Sequence, residues 1–420
     1  MSRDAESGVV SAGRLRGGAS GRVATALPDA LGYARERDYV GWDYCDGLSS
    51  RFLQALPVDN KWLNVAVQET VKRSPVNVRP LFLVERRRNF MGAGLFATAN
   101  LVADRLVSAG ALDGNYPVDY AAEARSLADW LVEERSTGYS GFCGGHKHRI
   151  QTLNALGEPN DPSVVSTAFP VRALLAASTL EEGYADVART AADFVVEDLN
   201  YREVGDSAVI DYHTKDADDY YTINAGAIGA RLLIDLYDRF GDPAYRDRAT
   251  KILDHVAGLQ TDRGGWYYRD PPDASHLSMD NFHNGFVVEC FLRYADAVDD
   301  RYAGVIDDAL AFYRTMFDAS GAPDWDEESA YPRDVHACAQ GVLVFSYAGD
   351  DGFARRILNW TLDELYGDDG GFRFRKHRYY TKRVTLMRWC QAWMCYAMAE
   401  HLRVTNGLGS DVPGLPAPVR

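Results

Sequence analysis

The chain has 420 residues, 46% of them hydrophobic and 25% charged, with 45 Lys and Arg set against 60 Asp and Glu for a formal net charge of −15. That is an ordinary globular composition, and so acidic a balance argues against nucleic acid or an anionic membrane as a partner, since both reward a basic face. Only seven of the 45 basic residues are Lys, a bias that fits a salt-adapted cytosol or a GC-rich genome.

Residues 1 to about 38, rich in Gly, Ser, Ala and Arg, read as a flexible tail with no apolar core of signal-peptide length. Lys61–Arg73 reads as an amphipathic helix. Six nearly uncharged helices follow, beginning near Asn89, Thr167, Asn224, Asn284, Ala337 and Met387. Apolar residues surround each one, which marks a buried helix. Between them lie amphipathic helices over 121–132, 184–195, about 243–259, 302–317 and 352–365. Their apolar residues recur at i, i+3, i+4 and i+7. Residues 406–420 read as a second flexible tail.

Paired glycines at 144–145, 264–265 and 370–371 mark recurring loops, each beside an aromatic residue. They stand 120 and 106 residues apart, about twice the spacing of the apolar helices, and a period of that size means stacked helical hairpins. The predicted architecture is all-α, an (α/α)6 toroid of hairpins spanning 39–405 as one domain. Length alone would favour two domains, but a repeat ring needs only neighbour contacts. Lys61–Arg73 is expected to be the sixth outer helix that closes the ring.

No stretch reaches 18 apolar residues, so no transmembrane helix is expected, and a soluble, cytoplasmic protein is the reading. The six cysteines form no CxxC pair. No GxSxG, P-loop or dinucleotide fingerprint is present, so no cofactor is expected. Cys143-x-x-His146-x-His148 has metal-ligand residue types, but no partner motif supports it and no metal is assigned. Asp216-Ala-Asp218-Asp219 is the nearest approach to a magnesium-binding acidic cluster, and it lies in a loop.

In such a ring the loops leading into the inner helices line the mouth, and seven of the nine histidines (146, 148, 213, 276, 283, 336 and 377) fall in those loops. Asp280-x-x-His283 and Asp334-x-His336 occupy matching positions before the fourth and fifth inner helices. A carboxylate beside an imidazole fixes its tautomer and tunes its pKa, although an Asp before a helix also serves as an N-cap. Asp280 and Asp334 are therefore the first candidates for an acid/base pair, with Asp43 and Asp219 in reserve. His283 with His336 or His377 would serve an isomerase. His146, His148 and His213 would bind substrate, Trp266, Trp325 and Tyr379 would stack on a sugar face, and Arg333 and Arg388 would hold an anionic group.

The Gly-Gly-aromatic loops, with Asp280/His283-Asn-Gly-Phe and Asp334/His336-x-x-x-Gln340-Gly341, resemble six-hairpin glycosidases and acylglucosamine-epimerase-like enzymes. The stretches WDYCDGLSSRF from Trp42, KRSPVNVRPLF from Lys72 and GYSGFCGGHKHRIQT from Gly138 more closely resemble the archaeal glycosylation protein Q group of haloarchaea. That resemblance implies a sugar-processing role in assembling the N-linked glycan of the S-layer glycoprotein. The substrate would be an acidic, lipid-linked or nucleotide-linked sugar, and other enzymes of the pathway would be partners. It leaves open a glycoside hydrolase, a sugar isomerase or epimerase, and a non-catalytic glycan-binding toroid.

Overall fold

The computed structural model describes residues 19–56, 59–114, 116–152, 155–214, 219–409 and 412–416. Asp216 and Asp218 lie outside the described residues. In chain order the helices are α1 (Ala19–Arg35), α2 (Arg51–Gln54), α3 (Lys61–Arg73), α4 (Phe90–Ser108), α5 (Tyr120–Glu133) and α6 (Val164–Ala177). Then come α7 (Gly183–Arg189), α8 (Ala191–Asp193), α9 (Ile223–Phe240), α10 (Pro243–Gly258) and α11 (Asn281–Ala297). The last four are α12 (Ala303–Thr315), α13 (Val335–Tyr347), α14 (Asp351–Glu364) and α15 (Trp393–Thr405), the last entered through a π-helical segment at Met387–Ala392.

Helices α4, α6, α9, α11, α13 and α15 each pack on the next, and α15 returns to α4, which closes an inner ring of six. Behind them stand α5, α7 with α8, α10, α12, α14 and α1. This is the (α/α)6 toroid. The inner helices are buried around almost their whole circumference because each touches two inner neighbours and an outer partner. Close approach is bought by small residues: a Cβ on Gly94 of α4 would stand 2.8 Å from the Pro170 nitrogen of α6.

The ring is closed differently from the sequence expectation. Its sixth outer helix is α1, inside the segment expected to be a tail. Val23, Ala26, Leu27, Ala30, Leu31 and Ala34 of α1 are buried, a stripe at helical spacing that an Ala-rich sequence disguises as low complexity. Helix α3 lies over the mouth instead, on the turn at Asp46–Ser49 and the strand Ile150–Gln151. Its inward face is polar: Gln68 donates from Nε2 to the Gln151 carbonyl at 2.9 Å and accepts from the Gln151 N–H at 3.0 Å. The expected C-terminal tail also packs in part, with Val412 and Leu415 buried and Arg403 donating to the Pro416 carbonyl at 2.5 Å.

The glycine loops are turns held by the inner helices. Gly264 and Gly370 take φ of +91° and +80°, a region open to glycine at little cost. Asn284 of α11 accepts from the Trp266 N–H at 2.8 Å and donates to its carbonyl at 2.9 Å. Gln391 likewise accepts from the Phe372 N–H at 2.9 Å and donates to the Gly370 carbonyl at 2.8 Å. A further copy of the turn runs from Asp318 to Ala322 around Gly321 at φ +89°; Ala322 in place of a second glycine hides it from a pattern search.

Candidate active site at the mouth of the ring

The N-terminal ends of the inner helices meet one face of the ring, where free backbone N–H groups invite side-chain oxygens. Asn89 caps α4, Ser163 caps α6, Asp280 caps α11 and Asp334 caps α13. The N-cap role weighed from sequence for both aspartates is therefore real, and each also holds a second partner.

At Asp280 that partner is an imidazole. One carboxylate oxygen accepts the His283 backbone N–H at 3.2 Å, and the other lies 2.7 Å from His283 Nδ1. Asp280 is buried, whereas the His283 side chain keeps 15% exposure. With Nδ1–H donating to Asp280, Nε2 carries the ring's lone pair. The Tyr268 ring lies 4.4 Å from the imidazole and the Phe282 ring 4.0 Å.

Asp334 does not repeat this pairing. One oxygen accepts the His336 backbone N–H at 2.8 Å and the Trp389 indole N–H at 2.9 Å; the other accepts from Arg375 Nε at 2.5 Å. The His336 ring is instead stacked between Phe282 and Trp393, at 4.9 and 4.5 Å. Both its nitrogens are buried without a hydrogen-bond partner. Burial first, then the charge on Arg388, hold its pKa well below the usual range. The expected carboxylate–imidazole symmetry fails because His336 is two residues past its cap rather than three, which turns its ring into the aromatic layer.

A second polar centre surrounds Arg388. Its guanidinium grips Asp43, with Nε 3.1 and 3.0 Å from the two oxygens and Nη2 2.8 Å from Oδ1. Asn89 donates to Asp43 Oδ2 at 2.7 Å, and the same amide lies 3.3 Å from His146 Nδ1. Asp43 reaches this position on a loop fixed by Arg79, whose Nε is 2.9 Å from both oxygens of Asp46 and whose Nη2 donates to the Asp43 carbonyl at 2.8 Å. Burial alone would raise the Asp43 pKa, but Arg388 and the two nearby histidines hold it below the carboxylate range. His146 and His148 are pushed down to about 3 and about 4, by burial first and by Arg388 after it, with His148 adding to the shift at His146 and Arg87 and Arg79 to that at His148. Both are therefore neutral imidazoles near pH 7. Donor atoms of Asp43, His146 and His148 lie within 4.8 Å of one another. Cys143, proposed from sequence as their companion, is buried elsewhere and Asp43 takes its place. Asp43 is already committed to Arg388 and Asn89, His146 meets the same Asn89 amide, and His148 Nε2 is buried without a hydrogen-bond partner.

The two centres are joined by an aromatic floor. Tyr44 stacks on Trp389 at 4.3 Å, and Trp389 meets Phe282 at 5.3 Å. Other residues chosen from sequence fall around or outside it. His213 is exposed beside Tyr212, close enough for its charge to depress His146. Trp325 lies 4.7 Å from the Arg375 guanidinium. Arg333 pairs with Asp318 at 2.7 Å. His377 stacks on Tyr380 at 4.4 Å, and Tyr379 projects 86% exposed from the same hairpin. Asp219 is exposed. Trp266 is not available for stacking: it is 1% exposed and its indole N–H donates to the Val256 carbonyl at 2.8 Å. Its loop folds it into the hairpin core. The sequence reading missed Asn89 and Trp389 and gave Arg375 no role. Asn89 carried a signal, an N-capping residue type before an apolar helix; the other two carried none.

Comparison with known proteins places the fold. No family model and no curated protein matches the chain. Among solved structures it is similar to a family 76 glycoside hydrolase, an alpha-mannanase of Bacteroides thetaiotaomicron, with a TM-score of 0.56 at 13% identity over 76% of this chain and 87% of that one. Cellobiose 2-epimerase of Bacillus thermoamylovorans has a TM-score of 0.54 at 14% identity over 74% and 88%. A polysaccharide lyase has 0.55 at 11% identity over 92% and 98%. The three carry different reactions on one ring, so the likeness defines a six-hairpin toroid and leaves the chemistry to the site.

Proposed function

We propose that the protein is a sugar-processing enzyme whose proton transfers run through His283, held by Asp280, with an anionic or developing negative charge met by Arg388 and Arg375. The observation that carries this reading is the 2.7 Å contact between a buried carboxylate and a partly exposed imidazole at the mouth. Such a pair supplies a base at Nε2 and returns the proton as an acid, which meets the need of isomerising a sugar next to a carbonyl through an enediol; epimerising it takes a second acid on the opposite face of the sugar. Arg388, already neutralised by Asp43, offers fixed N–H groups to a developing oxyanion without reorganisation.

Glycoside hydrolysis through Asp280 and Asp334 is less favoured. It needs one protonated and one ionised carboxyl facing the sugar, and both aspartates are 1% exposed with their oxygens engaged. The solved toroids of similar fold include a cellobiose 2-epimerase and a D-mannose isomerase, which supports the sugar class. A place in assembling the S-layer glycan, on an acidic, lipid-linked or nucleotide-linked sugar in the cytoplasm, rests on the Trp42, Lys72 and Gly138 stretches and on the arginines at the mouth.

The test is incubation of the protein in D2O with neutral and acidic aldoses, ketoses and disaccharides, followed by proton NMR. Solvent deuterium at the carbon beside the carbonyl, lost in His283→Gln, supports the reading. Release of a new reducing end without deuterium exchange would replace it with hydrolysis. Binding without turnover would leave a glycan-binding toroid.

A further inference from the structure

The net charge of −15 is laid unevenly over the fold. Residues 51–88 and 371–389 hold fifteen Lys and Arg and only three acidic residues, Asp59, Glu69 and Glu85. The two stretches meet at the mouth: Lys382 donates to the Lys72 carbonyl at 2.6 Å. Arg87–Arg88 pairs with Val40–Gly41 immediately before α4, and Arg375–Lys376 pairs with Arg333–Asp334 immediately before α13. Some of these cations are paired with acids from other parts of the chain, Arg88 with Asp38, Arg373 with Asp369 and Lys376 with Glu364. The acidic total, read from sequence as excluding an anionic partner, therefore hides a locally basic stretch of surface.

The basic side is also apolar. It holds eight of the ten large hydrophobic residues exposed among the described residues, including Trp62, Leu81, Leu83 and Tyr379 at 66, 82, 58 and 86% exposure. Exposed beside them are Lys61, Arg86, Arg378 and Arg383, with Arg51 and Arg73 also exposed but paired with Glu85 and Glu69. A scattered exposed leucine needs no explanation. A run of exposed Trp and Leu among Arg and Lys on one face is the composition of an interfacial surface, apolar groups for the acyl boundary and cations for phosphates. A second copy of the chain in the same orientation would bring basic face onto basic face. Nucleic acid would match the charge but would gain little from Leu81 and Leu83. No described helix is long and apolar enough to cross a membrane, so the contact would be peripheral.

We propose that the basic half of the mouth docks on an anionic lipid surface, with Trp62, Leu81 and Leu83 entering the headgroup layer and the surrounding arginines meeting lipid phosphates. The opening of the ring then faces the membrane. This stands on surface composition alone, so it and the His283 chemistry fail independently.

The test is co-sedimentation of the full chain with vesicles of mixed phosphatidylglycerol and phosphatidylcholine, and of phosphatidylcholine alone, at about 0.15 M and about 2 M KCl, where screening differs several-fold in range. Expected is binding to the anionic vesicles about tenfold or more above the neutral ones at low salt. Trp62→Ser with Leu81→Ser should lower binding by about tenfold at both salts. Arg378→Gln with Arg383→Gln should lower it mainly at low salt. Val204→Ser, exposed on a strand of the outer loops, should change nothing, and melting curves establish that each variant folds. Absence of vesicle binding, or binding that none of these changes alters, overturns the proposal. So does self-association, or binding of an oligonucleotide in preference to vesicles, that the Trp62/Leu81 variant abolishes.

Discussion

The carboxylate of Asp280 both starts helix α11 and holds the ring of His283, accepting the backbone N–H at 3.2 Å on one oxygen and facing Nδ1 at 2.7 Å on the other. One residue thus sets the backbone and the tautomer of a candidate base. The two jobs separate under substitution. Asp280→Asn keeps an oxygen for the cap but removes the charge that favours the Nδ1–H tautomer. Turnover should fall by about 10²-fold or more, while the melting temperature stays near that of the wild type. A large loss of stability with turnover intact would make Asp280 a cap only.

Buried neutral histidines set the acid side of the stability profile. His148 and His401 titrate at about 4 in the folded protein, displaced mainly by burial, against about 6.5 in an unfolded chain. Between those values the unfolded chain binds protons that the folded one refuses, so stability falls as pH drops through that window. The slope is at most about 1.4 kcal/mol per pH unit for each histidine. Urea unfolding at pH 7.5 and pH 5 should show the loss, and His148→Gln with His401→Gln should reduce it, with His146 and His336 keeping a remainder.

Glu289, 1% exposed at the centre of the ring, is the acceptor for two buried arginines. It pairs with Arg231, lies 3.5 Å from Arg172 and accepts from Gln340 at 2.6 Å. Glu289→Ala leaves both cations with only the more distant Asp235 carboxylate, 3.6 Å from Arg172 and 3.8 Å from Arg231, and should cost about 3 kcal/mol in denaturant unfolding. Adding Arg231→Met should recover part of that loss, since one stranded charge is removed. Additive losses would show that the arginines do not depend on Glu289.

Gly94→Ala sets two effects against each other. Helix propensity favours Ala by about 1 kcal/mol. The new Cβ would stand 2.8 Å from Pro170 N and 2.9 Å from Pro170 Cα, and backbone of a packed helix cannot step aside as a flexible side chain would. Overpacking of this kind costs about 1–3 kcal/mol. The variant should melt below the wild type; a higher melting temperature would mean that α4 and α6 move apart freely.

Closure of the ring shows where reading a sequence meets its limit. The inner helices were visible because burial on every side demands apolar residues all round, and that leaves a mark in composition. Helix α1 was not, because its buried stripe is mostly alanine inside a Gly- and Arg-rich stretch. Helix α3 was misplaced for the opposite reason. Its periodicity is genuine, but Asn64 and Gln68 face inward onto Gln151, so the helix packs by hydrogen bonds over the mouth.

The sequence by itself determined the helical repeat, the toroid class and the clustering of histidines and carboxylates before the inner helices. Each follows from local periodicity and from the capping needs of helix ends, which act within a few residues. Tertiary structure alone decided which polar groups meet. Asp43 finds Arg388 across 345 positions of the chain and Asp334 finds Trp389 across 55, whereas the adjacent His336 ring goes to the aromatic layer. Many partners satisfy a carboxylate equally well in chemistry, and only the closing of the ring chooses among them.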